Sequence, residues 1–272
     1  MGISSRTASS GTLIKGRKML SRYSFRSICV AIAIVFQMGL FGCAQETDRA
    51  NVFQKLNKAL AADDKSEALK LLGEALEKDP KNTSLLQIRA ETLFRMGRVV
   101  ESVPDFDKVV EIQPAFRAEN WQRGIALYYV GRFNDGAEQF EEHHRVNPDD
   151  VENTFWYFLC LAKADSIEAA RSKIIPSRGD ARPPLMDVYR LVRNEGTTED
   201  VEKAIEKFEA GTRGRETAEF YGYLYLGLWY DLKGDKAKAI AYLKKSLAAN
   251  DQGYMADVGK VHLQTLQPSE SK

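Results

Sequence analysis

Apolar and small residues recur at helical spacing through residues 49–150, in paired segments that are separated by glycine or proline. Prolines 34 residues apart follow the second segment of each pair: Pro80, Pro114 and Pro148. Proline ends a helix because its ring clashes with the preceding turn and it has no N–H. Gly97 and Gly131 share this spacing, and we expect them to end the first helix of a pair in the left-handed conformation. The pattern predicts three helical hairpins, at 49–82, 83–116 and 117–150.

The hairpins agree in phase at the positions that pack one helix against the other. In 83–116 these positions hold Leu86, Ala90, Leu93, Phe106 and Val109. In 117–150 the matching residues are Asn120, Gly124, Leu127, Phe140 and His143. Small residues at Ala90 and Gly124 are expected to let the two helices approach closely. Pro104 is expected in the first turn of its helix, where a missing N–H does little harm.

A period of 34 residues is typical of the tetratricopeptide repeat (TPR), whose hairpins stack into a solenoid. Residues 151–218 lose the period but keep helical patterning, and we interpret them as a degenerate helical segment. A fourth match runs through 220–251, and a final helix near 254–265 would cap the array, giving a C-terminal block at 219–272. No stretch alternates with period two. The predicted fold class is all-α, a TPR helical-hairpin solenoid with an irregular helical middle and a C-terminal capping helix.

The N-terminus has the parts of an export signal. Six basic residues precede an apolar run at 27–42, and no acidic residue appears before Glu46. The run has the length of a signal-peptide core and is shorter than the ~20 residues of a membrane span. Its end, Leu40-Phe41-Gly42-Cys43, resembles the lipidation box of bacterial lipoproteins.

That resemblance implies removal of residues 1–42, acyl chains on Cys43 and a lipidated tether at 43–48. Ala44 then favours the outer membrane, with the protein facing the periplasm. The alternative is an uncleaved N-terminal anchor in which Cys43 has no role, and Met19 is a second possible start.

Charge and motifs exclude several function classes. Without the six leader residues the chain has 33 basic and 38 acidic residues, a balance that disfavours nucleic-acid binding. Of the three cysteines only Cys160 would remain for the mature domain, within an apolar run, so we expect a buried thiol and no internal disulfide. His143 and His144 point about 100° apart on a helix and are a poor metal site. With no phosphate-binding loop, zinc-protease or nucleophile motif, the sequence predicts a non-enzyme with no cofactor or metal.

Function is therefore expected on a surface. The first helices of a TPR stack line its concave side. The faces that are not used for packing give the candidate partner-binding residues: Gln87, Glu91, Phe94, Arg95, Trp121, Ile125, Tyr128, Tyr129 and Phe155. Trp121 and Tyr128 are seven residues apart on one helix face and are amphipathic anchors of the kind that dominates interfaces. The alternative is that these aromatic residues pack against the next repeat.

Three segments resemble the NlpI-type TPR lipoproteins of Gram-negative bacteria: 123–132, the continuation from Asn147 to Tyr157, and 225–230. The order of signal, TPR block, irregular middle, late TPR and terminal helix is also similar. The resemblance implies a homodimeric outer-membrane adaptor that docks a periplasmic tail-specific protease onto peptidoglycan hydrolases. The alternative function is a TPR lipoprotein scaffold for assembly of an outer-membrane or pilus/secretion complex. An enzyme in its own right has no supporting motif.

Overall fold

The computed structural model describes residues 43–267, with side chains from residue 52 onward. The predicted signal peptide lies outside the described residues. Within them the chain is helical and contains no strand. The helices are α1 Cys43–Ala61, α2 Lys65–Lys78, α3 Thr83–Arg95, α4 Val99–Ile112, a 3-10 helix Pro114–Glu119, α5 Trp121–Tyr129, α6 Phe133–Val146, α7 Val151–Ala164, α8 Ile167–Ser172, α9 Leu185–Val192, α10 Thr198–Glu206, α11 Arg213–Leu232, α12 Lys236–Ala249 and α13 Tyr254–Leu266.

Successive helices pack as hairpins, which confirms the predicted all-α TPR-type fold class. The second helices α2, α4 and α6 each end two residues before the periodic proline. Gly97 and Gly131 have φ of +75° and +78°, as a left-handed helix end requires. Gly234, between α11 and α12, has φ +78° and shows that the late hairpin uses the same turn.

Small residues set the distance between the two helices of a hairpin. A Cβ added at Gly124 in α5 would lie 2.7 Å from Phe140 Cζ in α6. The equivalent position in the late hairpin is Gly227, where an added Cβ would lie 2.8 Å from Leu243 Cγ. The close approach predicted at Gly124 is therefore observed, and Gly227 shows the same approach in the late hairpin.

α1 begins at Cys43, so the backbone of the predicted lipidated tether 43–48 is helical, and its lipidation and tether role stay predictions. The prediction for Pro104 is wrong. Pro104 is the sixth residue of α4 and lies beyond the first turn. It is tolerated there because it lies on the exposed side of the helix, and the carbonyl of Val100 that loses its partner belongs to a residue that is itself 76% exposed.

The irregular middle is helical, as expected, and its caps explain its boundaries. The Thr197 hydroxyl accepts from the Asp200 backbone N–H, and the Asp200 carboxylate accepts from the Thr197 N–H, forming a capping box that starts α10. α11 runs unbroken through the predicted division at 218/219. That division, like the other domain limits, stays a prediction.

The main core follows α7, in which every side chain from Val151 to Cys160 is buried. Cys160 is fully buried and free, as expected for a thiol in an apolar run. A smaller core joins α1 to α4 through residues such as Leu56, Leu72 and Leu86. Among the helices that the structure describes, none combines the length and apolar character needed to cross a bilayer.

Candidate helix-binding groove

The first helices of the second and third hairpins face inward and form a groove. We define the inner groove by Phe94 and Arg95 of α3 and by Trp121 and Tyr129 of α5. The helix α13 returns from the far end of the chain and packs on α12 and on α3. The inner groove therefore contains a helix of the chain itself.

Aromatic rings make the main apolar contacts between α13 and the groove. The Tyr254 ring of α13 stacks on Phe94 with centroids 5.4 Å apart and an interplanar angle of 11°. Trp121 meets the same ring edge-on at 5.1 Å. Edge-to-face and offset-stacked rings are favourable arrangements for aromatic pairs. Tyr254 is thus held by both α3 and α5.

An ion pair fixes the register of α13. Arg95 Nε donates to Asp257 Oδ2 at 2.6 Å, and the Asp257 side chain is only 5% exposed. Lys260 on the outer side of α13 reaches the same carboxylate at 3.3 Å. A buried carboxylate is strongly unfavourable without such partners. Arg95 therefore binds the Asp257 carboxylate within the groove, and its Nη2 also lies 3.4 Å from Asp63 Oδ1.

The far end of the contact is polar. Tyr129 Oη lies 3.2 Å from His262 Nδ1 and 3.5 Å from the Val258 carbonyl oxygen. On the other side of His262, Asp231 of α11 lies 3.5 Å from Nε2. Hydrogen bonding to His262 is the largest cause that holds the pKa of Asp231 below its ordinary value. α13 therefore joins α5 to α11 across the groove.

One polar atom of α13, Tyr254 Oη, is buried without a hydrogen-bond partner among the described residues. Burial raises the pKa of Tyr254 well above its ordinary value, so its hydroxyl stays neutral. A buried polar atom without a partner is unfavourable. The helix that fills the groove therefore fits it incompletely.

A polar rim lines the start of the groove. Gln87 Nε2 donates to Glu91 Oε1 at 2.8 Å, and Gln122 Nε2 donates to the same oxygen at 3.2 Å. Asn120, the N-cap of α5, exchanges hydrogen bonds with Gln87. Burial raises the pKa of Glu91, against the opposing effect of the Gln87 hydrogen bond. The rim connects α3 to α5 and holds the groove open to a fixed width.

The structure separates the nine predicted partner-binding residues into two groups. Ile125, Tyr128 and Phe155 are buried between helices of the solenoid itself, with Tyr128 against Trp156 at 5.4 Å and Phe155 against Tyr225 at 4.7 Å. Their side chains, like that of Phe94, are buried in this conformation, and the role of these three residues in partner binding also stays a prediction. The remaining six line the groove or its rim, and their role in partner binding stays a prediction: Gln87, Glu91, Phe94, Arg95, Trp121 and Tyr129.

The groove-facing residues of α13 are absent from the sequence prediction, which treats this helix as a cap. One signal could have identified them. The buried face of α13 is broad, including Met255, Val258, Gly259 and Val261, and leaves a narrow exposed strip at Lys260 and Gln264.

A second polar cluster is buried where α7 begins. Arg182, from the loop before α9, donates to Asp150 at 2.7 Å, to Asp180 at 2.6 Å and to Glu152. Tyr225 of α11 donates to the other Glu152 oxygen at 2.5 Å. Burial raises the pKa of Glu152 to about 7, although the Arg182 charge opposes this. The cluster joins the irregular loop to α7 and α11.

Metal chemistry has no geometric basis in the part of the chain that the structure describes, where no three His, Cys, Asp or Glu side chains converge. His143 is buried, with Nδ1 2.7 Å from the Ala118 carbonyl oxygen. This contact joins α6 to the preceding 3-10 helix and gives His143 a structural position.

Residues 53–115 match the family model of the tetratricopeptide repeat. DnaJ homolog subfamily C member 3 of Bos taurus is 28% identical over 133 residues, which cover 49% of this chain and 26% of the relative. The chain thus spans about a quarter of the length of the curated relatives it matches.

Two solved structures are similar over most of the chain. A tetratricopeptide repeat protein from Parabacteroides merdae ATCC 43184 is 14% identical, with 80% of this chain and 86% of that chain covered and a TM-score of 0.45. PilW, a type IV pilus biogenesis factor, is 15% identical, with 82% and 94% covered and a TM-score of 0.41. The repeat match and the observed hairpins indicate a protein–protein interaction scaffold.

Proposed function

We propose that this protein is a lipid-anchored adaptor of the bacterial cell envelope that binds protein partners through its inner groove. The observation that carries the proposal is the groove itself, which holds a helix by aromatic contacts to Tyr254 and by the ion pair between Arg95 and Asp257. Aromatic residues and arginine are the residue types that contribute most to binding at protein interfaces.

The membrane part of the proposal rests on the sequence. The basic leader, the apolar run and the Leu40–Cys43 box together support cleavage, lipidation of Cys43 and attachment to the outer membrane on its periplasmic side. A single acyl chain gives only marginal membrane binding, so stable anchoring needs more than one chain.

The partner class comes from the resemblance to NlpI-type lipoproteins. It favours a tail-specific periplasmic protease and peptidoglycan hydrolases, with the adaptor as a homodimer. In this function the protein brings two enzymes together and performs no chemistry itself.

An affinity capture from crosslinked cell envelopes tests the proposal, with the wild type and Cys43→Ser compared by mass spectrometry. We expect a protease or a peptidoglycan hydrolase to be enriched with the wild type and lost with Cys43→Ser. Enrichment of secretin or outer-membrane assembly components would instead support a scaffold for those complexes. Recovery of none of these proteins would contradict both functions.

A separate assay addresses catalysis. Purified protein incubated with isolated peptidoglycan is expected to release no soluble fragments. Release of fragments by the protein alone would contradict the adaptor function and show an enzyme.

A further inference from the structure

We infer that the inner groove is a receptor for helices and that α13 is its internal occupant, which a partner helix of matching chemistry replaces. The inference rests on the proposed adaptor function, because it names the partner that the same groove accepts. The surface on which a TPR scaffold would receive a partner is filled in this chain by its own last helix.

The contacts of α13 define the chemistry of that partner. Tyr254, Asp257, Val258 and His262 meet α3 and α5, and their spacing of three, four and eight residues from Tyr254 places them on one helix face. The expected partner is an amphipathic helix with an aromatic residue followed three positions later by a carboxylate. Arg95 selects the carboxylate, and Phe94 with Trp121 selects the ring.

Incomplete fit is the first reason to treat α13 as exchangeable. Tyr254 Oη is buried without a hydrogen bond. A helix that carries phenylalanine at this position would avoid that loss. A foreign helix can therefore bind the groove better than α13 does.

The connection to α12 is the second reason. Residues 250–253 join α12 to α13 outside any helix, and Asn250, Asp251, Gln252 and Gly253 are exposed. Gly253 has φ +92°, a conformation that glycine adopts without strain. α13 is the last helix that the structure describes, so no later described helix packs on it.

Release alone is unfavourable, since it exposes Met255, Ala256, Val258, Val261 and Leu266, which are all buried in the docked state. The docked state is therefore dominant in the free protein. A partner that supplies an equivalent apolar face restores most of the burial in the groove, so exchange depends on the difference in affinity between the two helices.

A labelled peptide of residues 251–267 tests the inference by fluorescence anisotropy against the full protein. Asp257→Arg places like charges at the pair with Arg95 and loosens the internal helix. We expect the peptide to bind this variant at least tenfold more tightly than it binds the wild type. A peptide that itself carries Asp257→Arg should bind the Asp257→Arg protein at least tenfold more weakly than the unmodified peptide does. Gln267→Arg introduces an arginine at an exposed position just after α13 and should behave as the wild type does.

Equal peptide affinity for the wild type and Asp257→Arg, or no binding to either, would overturn the inference. Amide hydrogen exchange of the wild type gives a test that needs no variant. We expect α13 to exchange through an opening that leaves α7 protected, at least tenfold faster than α7. Equal protection of α13 and α7 would show that α13 is a permanent part of the fold.

The capture experiment separates this inference from the adaptor function. If partners are recovered and excess peptide does not displace them, the adaptor function stands and helix exchange is wrong. If no partner is recovered while the peptide still binds Asp257→Arg, the groove is a helix receptor and the proposed envelope function is wrong.

Discussion

Replacing Gly124 by alanine tests whether the repeat is held together by close helix approach. The new Cβ would lie 2.7–3.0 Å from three carbons of the buried Phe140 ring, closer than real side chains come. Overpacking of this kind costs about 1–3 kcal/mol. Alanine also gains about 1 kcal/mol over glycine as a helix former. We therefore expect a net loss of up to about 2 kcal/mol in the free energy of unfolding.

Gly73 in α2 is the matched control, because a Cβ added there meets nothing within 4 Å. Gly73→Ala should keep only the gain from helix propensity and stabilise the protein by about 0.5–1 kcal/mol. The same glycine-to-alanine change is thus expected to lower the free energy of unfolding at Gly124 and to raise it at Gly73. For a chain of this size, 1 kcal/mol corresponds to about 2–4 °C in the melting temperature.

Thermal melting followed by circular dichroism measures both variants beside the wild type. Gly227→Ala repeats the test in the late hairpin, where Leu243 Cγ at 2.8 Å and the Ala239 carbonyl oxygen at 3.3 Å crowd the added atom. If Gly124→Ala and Gly227→Ala melt at or above the wild-type temperature, the glycines do not set the helix spacing and our account of the hairpin is wrong.

Three further predictions concern the remaining contacts. Glu152→Gln should raise the free energy of unfolding at pH 8. Between pH 4.5 and about 7 the folded wild type keeps a proton on Glu152 that the unfolded chain has lost, so its stability falls by up to roughly 3 kcal/mol as the pH rises to 7. Glutamine does not titrate and avoids this loss. The two melting curves should converge near pH 4.5, and a pH-independent difference would contradict the buried-carboxylate explanation. Trp121→Ala should lower the free energy of unfolding by about 2 kcal/mol, because it removes the edge contact with Tyr254. The loss should be smaller than for a fully buried tryptophan, since Trp121 is partly exposed. An unchanged melting temperature with weakened partner capture would show a pure binding role. Thr197→Ala should cost about 1 kcal/mol by removing the N-cap of α10, as measured by urea unfolding, whereas Thr197→Ser should cost far less.

The hairpins could be predicted from the sequence because the interactions that define them are local. Pro114 and Gly131 act on their own turns, and Gly124 meets a ring only 16 positions away. The contents of the groove could not be predicted in the same way. Arg95 and Asp257 are 162 residues apart. Their contact depends on the curvature of the helix stack, which the repeat period does not predict.

The predicted site residues show the same limit. Phe94 and Trp121, both chosen by their position on a first helix, lie together against Tyr254 of α13. That position did not reveal that α7 and α11 cover Tyr128 and Phe155, because the aromatic residues that bury them belong to other helices and are irregularly spaced. Whether a residue is exposed depends on contacts with residues that are distant in the sequence, and a local pattern does not predict those contacts.

The return of α13 to α3 also affects how the protein forms and comes apart. Arrays whose repeats contact only their neighbours can fray from either end. Here the last helix contacts the second hairpin, so loss of either end removes support from the other, and unfolding should be more cooperative than in an open array. Chains are made from the N-terminus, and domains generally fold in that order. The hairpins that carry Phe94 and Trp121 are therefore synthesised before residues 254–266, and the groove can be filled by α13 only after those last residues have been made.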